Sequence, residues 1–379
     1  MESDVIIIGG GIIGLSIARE LNKRGMSRIT LLERGVCGEE ASWAAAGMLG
    51  PQAEANGGGA FFDLCCSSRE MYPQFADDLM SETGVDIRLD RTGTIYAAFT
   101  EEDVRELRER YKWQSRAGLD VRRLTAEEAL ALEPAISPDI REALLFATDW
   151  QVENRAVLAA LRRYAELNGI DVIENTTVHN IILHDGRAVG VEAGNKSFKA
   201  KYIVMAAGAW TSLIGTSDFT MPFKVEPVRG QIVSFILDSP LFRHVISSRR
   251  GYLVPRADGR VLVGSTTEHA GFDKSTTVAA METLADVAVS LVPGLRGLQA
   301  ADHWAGLRPY ATNELPLLGT VSGVQNLFAA AGHYRNGILL APATSKILAD
   351  CIVEGRVSKM SEPFTIKQWD ARAKATQVA

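Results

Sequence analysis

Apolar positions along the chain come in distinct textures. Residues 5–8 are an unbroken Val-Ile-Ile-Ile run, residues 9–14 hold four glycines, and residues 15–24 repeat apolar positions at helical spacing before Gly25. The pattern predicts a buried parallel strand, a glycine turn, a helix and its stop. Residues 28–33 follow as a second strand, completing a βαβ unit whose sheet needs cover on both faces. Runs of the same kind return at 201–207 and 326–331, each followed by glycine (Gly208, Gly332), the second leading into a helix over about 337–354. These returns predict a doubly wound, Rossmann-type α/β domain assembled from distant segments.

Between them the texture changes. Segments 93–99, 225–237, 251–255 and 260–264 carry β-branched and aromatic residues separated by turn residues, which predicts a mainly antiparallel sheet in a second domain. Charge-rich helices are expected at 101–118 and 125–132, and a helix opening on an Asn154 cap at 154–168. The resulting division assigns 1–85, 146–220 and 300–365 to the first domain, 86–145 and 221–299 to the second, and 366–379 to a tail. Gly57–Gly59 reads as a loop.

Composition narrows the function. With 379 residues, 46% of them hydrophobic and 23% charged, the chain is an ordinary globular protein. A formal charge of −6 lacks the basic excess that nucleic acid would need. Four cysteines (Cys37, Cys65, Cys66, Cys351) form no CxxC pair and have no histidine at ligand spacing, so neither a metal site nor a disulfide framework is expected. Cytoplasmic residence without a signal peptide or membrane span is the expectation.

Gly9-Gly10-Gly11-Ile12-Ile13-Gly14 fits G-x-G-x-x-G. Gly9 makes the tight turn, Gly11 lets backbone approach a pyrophosphate, and Gly14 permits close helix-on-strand packing at a helix N-terminus that favours anions. Glu33 closes the next strand nineteen positions beyond Gly14, where a carboxylate accepts from a ribose hydroxyl. An acid there speaks against a 2′-phosphate. This pattern alone does not separate NAD from FAD.

Further stretches do. With Glu33-Arg34 come Ser42-Trp43-Ala44-Ala45-Ala46-Gly47-Met48-Leu49, Ala206-Ala207-Gly208-Ala209-Trp210, Gly251-Tyr252-Leu253-Val254-Pro255-Arg256, Trp304-Ala305-Gly306-Leu307-Arg308-Pro309 and His333-Tyr334-Arg335-Asn336-Gly337-Ile338-Leu339. Nearly end to end, the sequence resembles the D-amino acid oxidase family of FAD enzymes, and within it the bacterial glycine oxidases associated with thiazole (thiamine) biosynthesis. The resemblance implies FAD contacts at Ile12, Ile13, Glu33, Arg34, Ser42, Ala46, Gly47, Met48, Val178 and the run His333, Tyr334, Arg335, Asn336, Gly337, Ile338 and Leu339, with Gly208 beside them. No Cys lies near 305–312, where the monomeric sarcosine oxidases attach FAD covalently, so FAD is expected to be dissociable.

For a substrate carboxylate leaving water, the planar fork of arginine is the fitting partner. Arg308, between apolar Leu307 and Pro309, is the first candidate. By resemblance Tyr252 fixes the substrate beside the flavin and Arg335 joins the substrate contacts. The family pattern has His where Arg250 stands and Met where Thr267 stands, so Arg250, Thr267 and Ala53 are expected to set the pocket volume. None of the six histidines presents itself as a base. The implied reaction passes a hydride from the amino acid's α-carbon to flavin N5, hydrolyses the imine to keto acid and ammonia, and reduces dioxygen to hydrogen peroxide. Partners are then a small amino acid or amine and dioxygen, in a homotetramer. Two alternatives stay open: a D-amino acid or proline dehydrogenase that reduces a quinone, and a subunit of a heteromeric sarcosine oxidase.

Overall fold

The computed structural model describes residues 2–216, 219–312 and 314–366. β1 (Ser3–Ile8), α1 (Ile12–Lys23) and β2 (Ile29–Leu32) form the opening βαβ unit, with Val5 to Ile8 of β1 paired in parallel with Ile29 to Leu32. On its other side β1 pairs in parallel with Lys196–Met205, and that strand with Leu327–Ala331. The two late apolar runs therefore complete the sheet that residues 3–8 begin. α1 starts three residues earlier than its apolar spacing predicts. Gly14 accommodates this, since it lies inside the first helical turn.

Helices α1, Ala60–Thr83, Asn154–Leu167 and Gly337–Val353 cover one face of this sheet. The other face is covered by antiparallel strands Val178–His184 and Arg187–Ala193 with the chain around Phe223. Ala60–Thr83 is not legible as a helix in the sequence because its buried positions include Ser68 and Arg69 and it carries an internal Pro73. Those polar residues have a purpose. Pro342 lies inside the helix Gly337–Val353 and cannot donate to Ile338. Tyr72 Oη donates to the Ile338 carbonyl at 2.5 Å, and Ser68 Oγ donates to Leu339 O at 2.7 Å while accepting from Ala343 N at 3.2 Å. The buried backbone around the proline is thus satisfied by a neighbouring helix.

A second, eight-stranded sheet contains the four predicted strands together with Arg122–Thr125, Glu142–Phe146, Val245–Ser248 and Asp302–Ala311. The last departs from the expected division at 300: it pairs antiparallel with Val225–Ile236 from Val225↔Ala311 to Ser234↔Asp302. Alternation along the strands sorts their side chains. Leu253, Val261 and Val263 pack under the helix Val278–Leu291, whereas Tyr252, Val254, Ile232 and Trp304 face the first domain. The charged helix Glu101–Arg116 is not wholly solvated, for Arg110 and Gln114 are buried against the segment 52–56.

Candidate active site

Where the two sheets face each other they enclose a cleft of about 1830 Å³, counted to its open mouth. Its lining runs from the glycine turn of the first domain to Tyr252 and Arg308 of the second sheet, the two ends of one continuous cleft.

One end is built by the glycine turn. Gly9 has φ +110°, and a Cβ on it would lie 2.3 Å from Ala206 O. A Cβ on Gly14 would lie 1.9 Å from Gly9 O. Gly11, by contrast, faces the cleft, with Ser42 Oγ as the nearest atom to such a Cβ at 3.2 Å. No side chain of its own caps α1; instead Ser42 Oγ accepts from Ile12 N at 3.0 Å, which directs the hydroxyl proton away from the helix. Glu33 is buried and accepts from Gly10 N (2.7 Å) and Gly35 N (2.8 Å), fixing a carboxylate at the cleft wall.

Of the residues the resemblance implies, Ile12, Ile13, Arg34, Ala46, Gly47, Met48, Val178 and Gly208 line the cleft, as do His333, Tyr334, Arg335, Gly337 and Ile338. Gly14, Asn336 and Leu339 do not. Gly14 lies behind Gly9, Asn336 holds the N-cap position of the helix Gly337–Val353, and Leu339 is in the core beneath it. The loop at 44–48 is held by buried Arg256, whose guanidinium donates to Ala46 O (2.8 Å) and Val152 O (2.7 Å) and whose pKa burial pushes down to about 10. Asn154 is not the predicted cap, a role that Glu153 takes. It donates to Ser42 O and Trp43 O and so steadies the same loop. Arg34 pairs with Glu40 and lies 4.2 Å above the Trp210 ring.

At the other end Tyr252 and Arg308 come together from the second sheet. Both depend on glycines that sequence reading did not single out. A Cβ on Gly264, directly opposite Tyr252, would meet the Tyr252 ring at 2.3 Å, and one on Gly230 would meet the Arg308 guanidinium at 2.1 Å. Arg308 donates to Thr266 O (3.1 Å), Ser265 Oγ (2.7 Å) and Arg229 O (3.5 Å), all neutral acceptors, and burial pulls its pKa below the usual guanidinium value. Tyr334 adopts φ +49°, a left-handed conformation that turns the chain between His333 and Arg335. His333 is buried, shares a hydrogen bond with Thr344 Oγ1 (3.0 Å), and is held neutral by burial, its pKa pushed down to about 3.

The three residues expected to set pocket volume lie elsewhere. Arg250 is exposed in the turn between Val245–Ser248 and Gly251–Pro255, before the strand that carries Tyr252 begins. Thr267 is exposed past the end of its strand, where Ser265 and Thr266 make the inward contacts. Ala53 is buried with Tyr96 and Phe146 on the far side of its own segment. Its neighbour Glu54 reaches the cleft instead.

That segment rests on a buried polar cluster. Asp149 accepts from Gln52 N (3.3 Å), Ala53 N (2.7 Å) and Arg69 Nη1 (3.4 Å), and burial raises its pKa to about 7 despite Arg69. The folded protein therefore holds this proton up to about pH 7, whereas an unfolded carboxyl releases it near pH 4. Stability drawn from the group falls as pH rises through that window. Asp149→Asn should change little below pH 4 and gain thermal stability relative to the parent between pH 4 and 7. Melting curves at pH 4, 5.5 and 7 check this; a pH-independent difference would refute it.

The family model for FAD dependent oxidoreductases matches residues 4–351. The chain belongs to this family. It is 34% identical over 361 residues to the glycine oxidase of Pseudomonas aeruginosa, covering 94% of this chain and 96% of that one. A bifunctional ThiO/ThiG protein of Trichormus variabilis is 34% identical, covering 99% of this chain and 56% of that protein. The crystal structure of glycine oxidase from Geobacillus kaustophilus superposes with a TM-score of 0.91 at 33% identity, covering 96% of this chain and 98% of that one. As a member of the family this chain is an FAD-dependent enzyme, and the glycine turn, Ser42 and Glu33 fit that cofactor. Among the described residues no helix is long and apolar enough to cross a membrane.

Proposed function

We propose that the chain is a glycine oxidase, converting glycine, dioxygen and water to glyoxylate, ammonia and hydrogen peroxide, with other small primary and secondary amines as further substrates. The observation that carries this reading is Arg308: a half-buried guanidinium held, among the described residues, by neutral acceptors, beside Tyr252, at the end of the cleft far from the glycine turn. Such a cation is poised for an anion.

Bound FAD would supply the two-electron acceptor that reacts with dioxygen. The protein's part is positional. Arg308 and Tyr252 hold the carboxylate, so the α-carbon is presented in one orientation. His333, neutral and bonded to Thr344, offers no base, which suits a substrate that binds with its amine already neutral. Oxidation of glycine gives the imine, whose hydrolysis gives glyoxylate and ammonia, and the likeness to glycine oxidases and to bifunctional ThiO/ThiG proteins supports a place in thiamine biosynthesis. Four free cysteines suit a reducing cytoplasm, and the same likeness supports a homotetramer with non-covalent FAD.

Anaerobic mixing with glycine should bleach the visible flavin band, and air should restore it with release of peroxide. Persistent colour would refute glycine as substrate. Bleaching without reoxidation in air would favour a dehydrogenase.

A further inference from the structure

Arg335 and Arg308 line the same cleft but differ in company. Among the described residues Arg308 has no carboxylate partner, whereas Arg335 Nε lies 3.8 Å from Glu54 Oε2. The Glu54 charge raises the Arg335 pKa. Glu54 is not free to drift away. Asp149 holds the two backbone amides before it, and Arg110 donates to Ala53 O and, at 2.9 Å, to Asn56 Oδ1 on the other side. The carboxylate is thus presented to the cleft from a segment braced at both ends.

Charge counting then has a consequence. At the Tyr252 end of the cleft, away from Glu33, Arg34 and Glu40, two guanidinium groups and one carboxylate leave a surplus of one positive charge, the complement of one carboxylate on an amino acid whose amine is neutral. An amino dicarboxylate brings a second negative charge, which meets Glu54 where Arg335 would otherwise receive it. We infer that Glu54 is a specificity-determining residue: it neutralises Arg335 and restricts the site to monocarboxylates. The inference deepens the amino-acid reading of this cleft and rests on it.

Titration of the flavin spectrum with acetate and with malonate tests it without turnover. In Glu54→Gln the malonate-to-acetate affinity ratio should rise about two- to fivefold, because Arg335 becomes available to the second carboxylate. Turnover of iminodiacetate should rise relative to glycine in parallel. The gain should vanish in Glu54→Gln/Arg335→Gln. Arg335→Gln alone should move the ratio the opposite way, since it leaves Glu54 unneutralised, and this arm stands even where Glu54→Gln fails to fold. An unmoved ratio in the variants, or a gain that survives in the double variant, overturns the inference while leaving the amino-acid reading intact. A spectrum that neither acid perturbs, in parent or variants, overturns both.

Discussion

Arg308→Ala should lower kcat/KM for glycine by about 2–5 kcal/mol of binding energy, or roughly 30- to 5,000-fold, with FAD content unchanged. The size follows from surroundings. The Arg308 guanidinium sits against the Gly230 backbone and its bonded acceptors, Thr266 O, Ser265 Oγ and Arg229 O, carry no charge. Among the described residues the other cation at this end of the cleft is Arg335, which already has Glu54 as a partner at 3.8 Å. Peroxide production against glycine concentration measures the effect. Kinetics equal to the parent's would remove Arg308 from the proposed substrate site. Arg308→Lys should recover only part of the loss, since an ammonium has no planar fork.

Gly14→Ala should yield a protein without flavin and with a lowered melting temperature. The new Cβ would lie 1.9 Å from Gly9 O, a backbone atom that has nowhere to go, because Gly9 itself is pressed against Ala206 O. Overpacking of this kind costs about 1–3 kcal/mol or more, and here the strain falls on the turn that faces the cofactor. Gly11→Ala is the contrasting case. Its Cβ points into the cleft and meets Ser42 Oγ at 3.2 Å, so folding should persist while FAD affinity falls. Flavin-to-protein ratio and thermal unfolding, measured on both variants, distinguish the two effects. A Gly14→Ala protein with full flavin and the parent's melting temperature would contradict this account.

The opening βαβ unit, its glycine spacing and Glu33 were legible because each is local: a strand run, a turn and a helix are read within thirty-odd residues. The pairing of Asp302–Ala311 with Val225–Ile236 was not, because strand composition says nothing about which sheet a strand joins. Tyr252 and Arg308 could be named from motifs, yet Gly264 and Gly230, which make room for them, become meaningful only once register places Gly264 opposite Tyr252 and Gly230 diagonal to Arg308 on the neighbouring strand. Glu54 was passed over in favour of Ala53, and Arg250 and Thr267 were assigned to the pocket. Ala53 and Thr267 miss the cleft by one position, since one residue along a strand or turn reverses the side that a side chain takes, and Arg250 misses it because it sits in the exposed turn before its strand begins. The helix Ala60–Thr83 was hidden by Ser68 and Arg69, polar residues whose burial is rational only beside Pro342 and Asp149.

The cleft draws its walls from Gly9 at one extreme of the sequence and Ile338 at the other, and the strand Leu327–Ala331 is among the last to join the sheet that β1 begins. A nascent chain therefore cannot capture its cofactor piecemeal. Once captured, the ligand binds the native state alone and shifts the folding equilibrium by RT ln(1 + [L]/Kd). Flavin supply thus weighs on how much of this protein stays folded, as well as on how much of it is active.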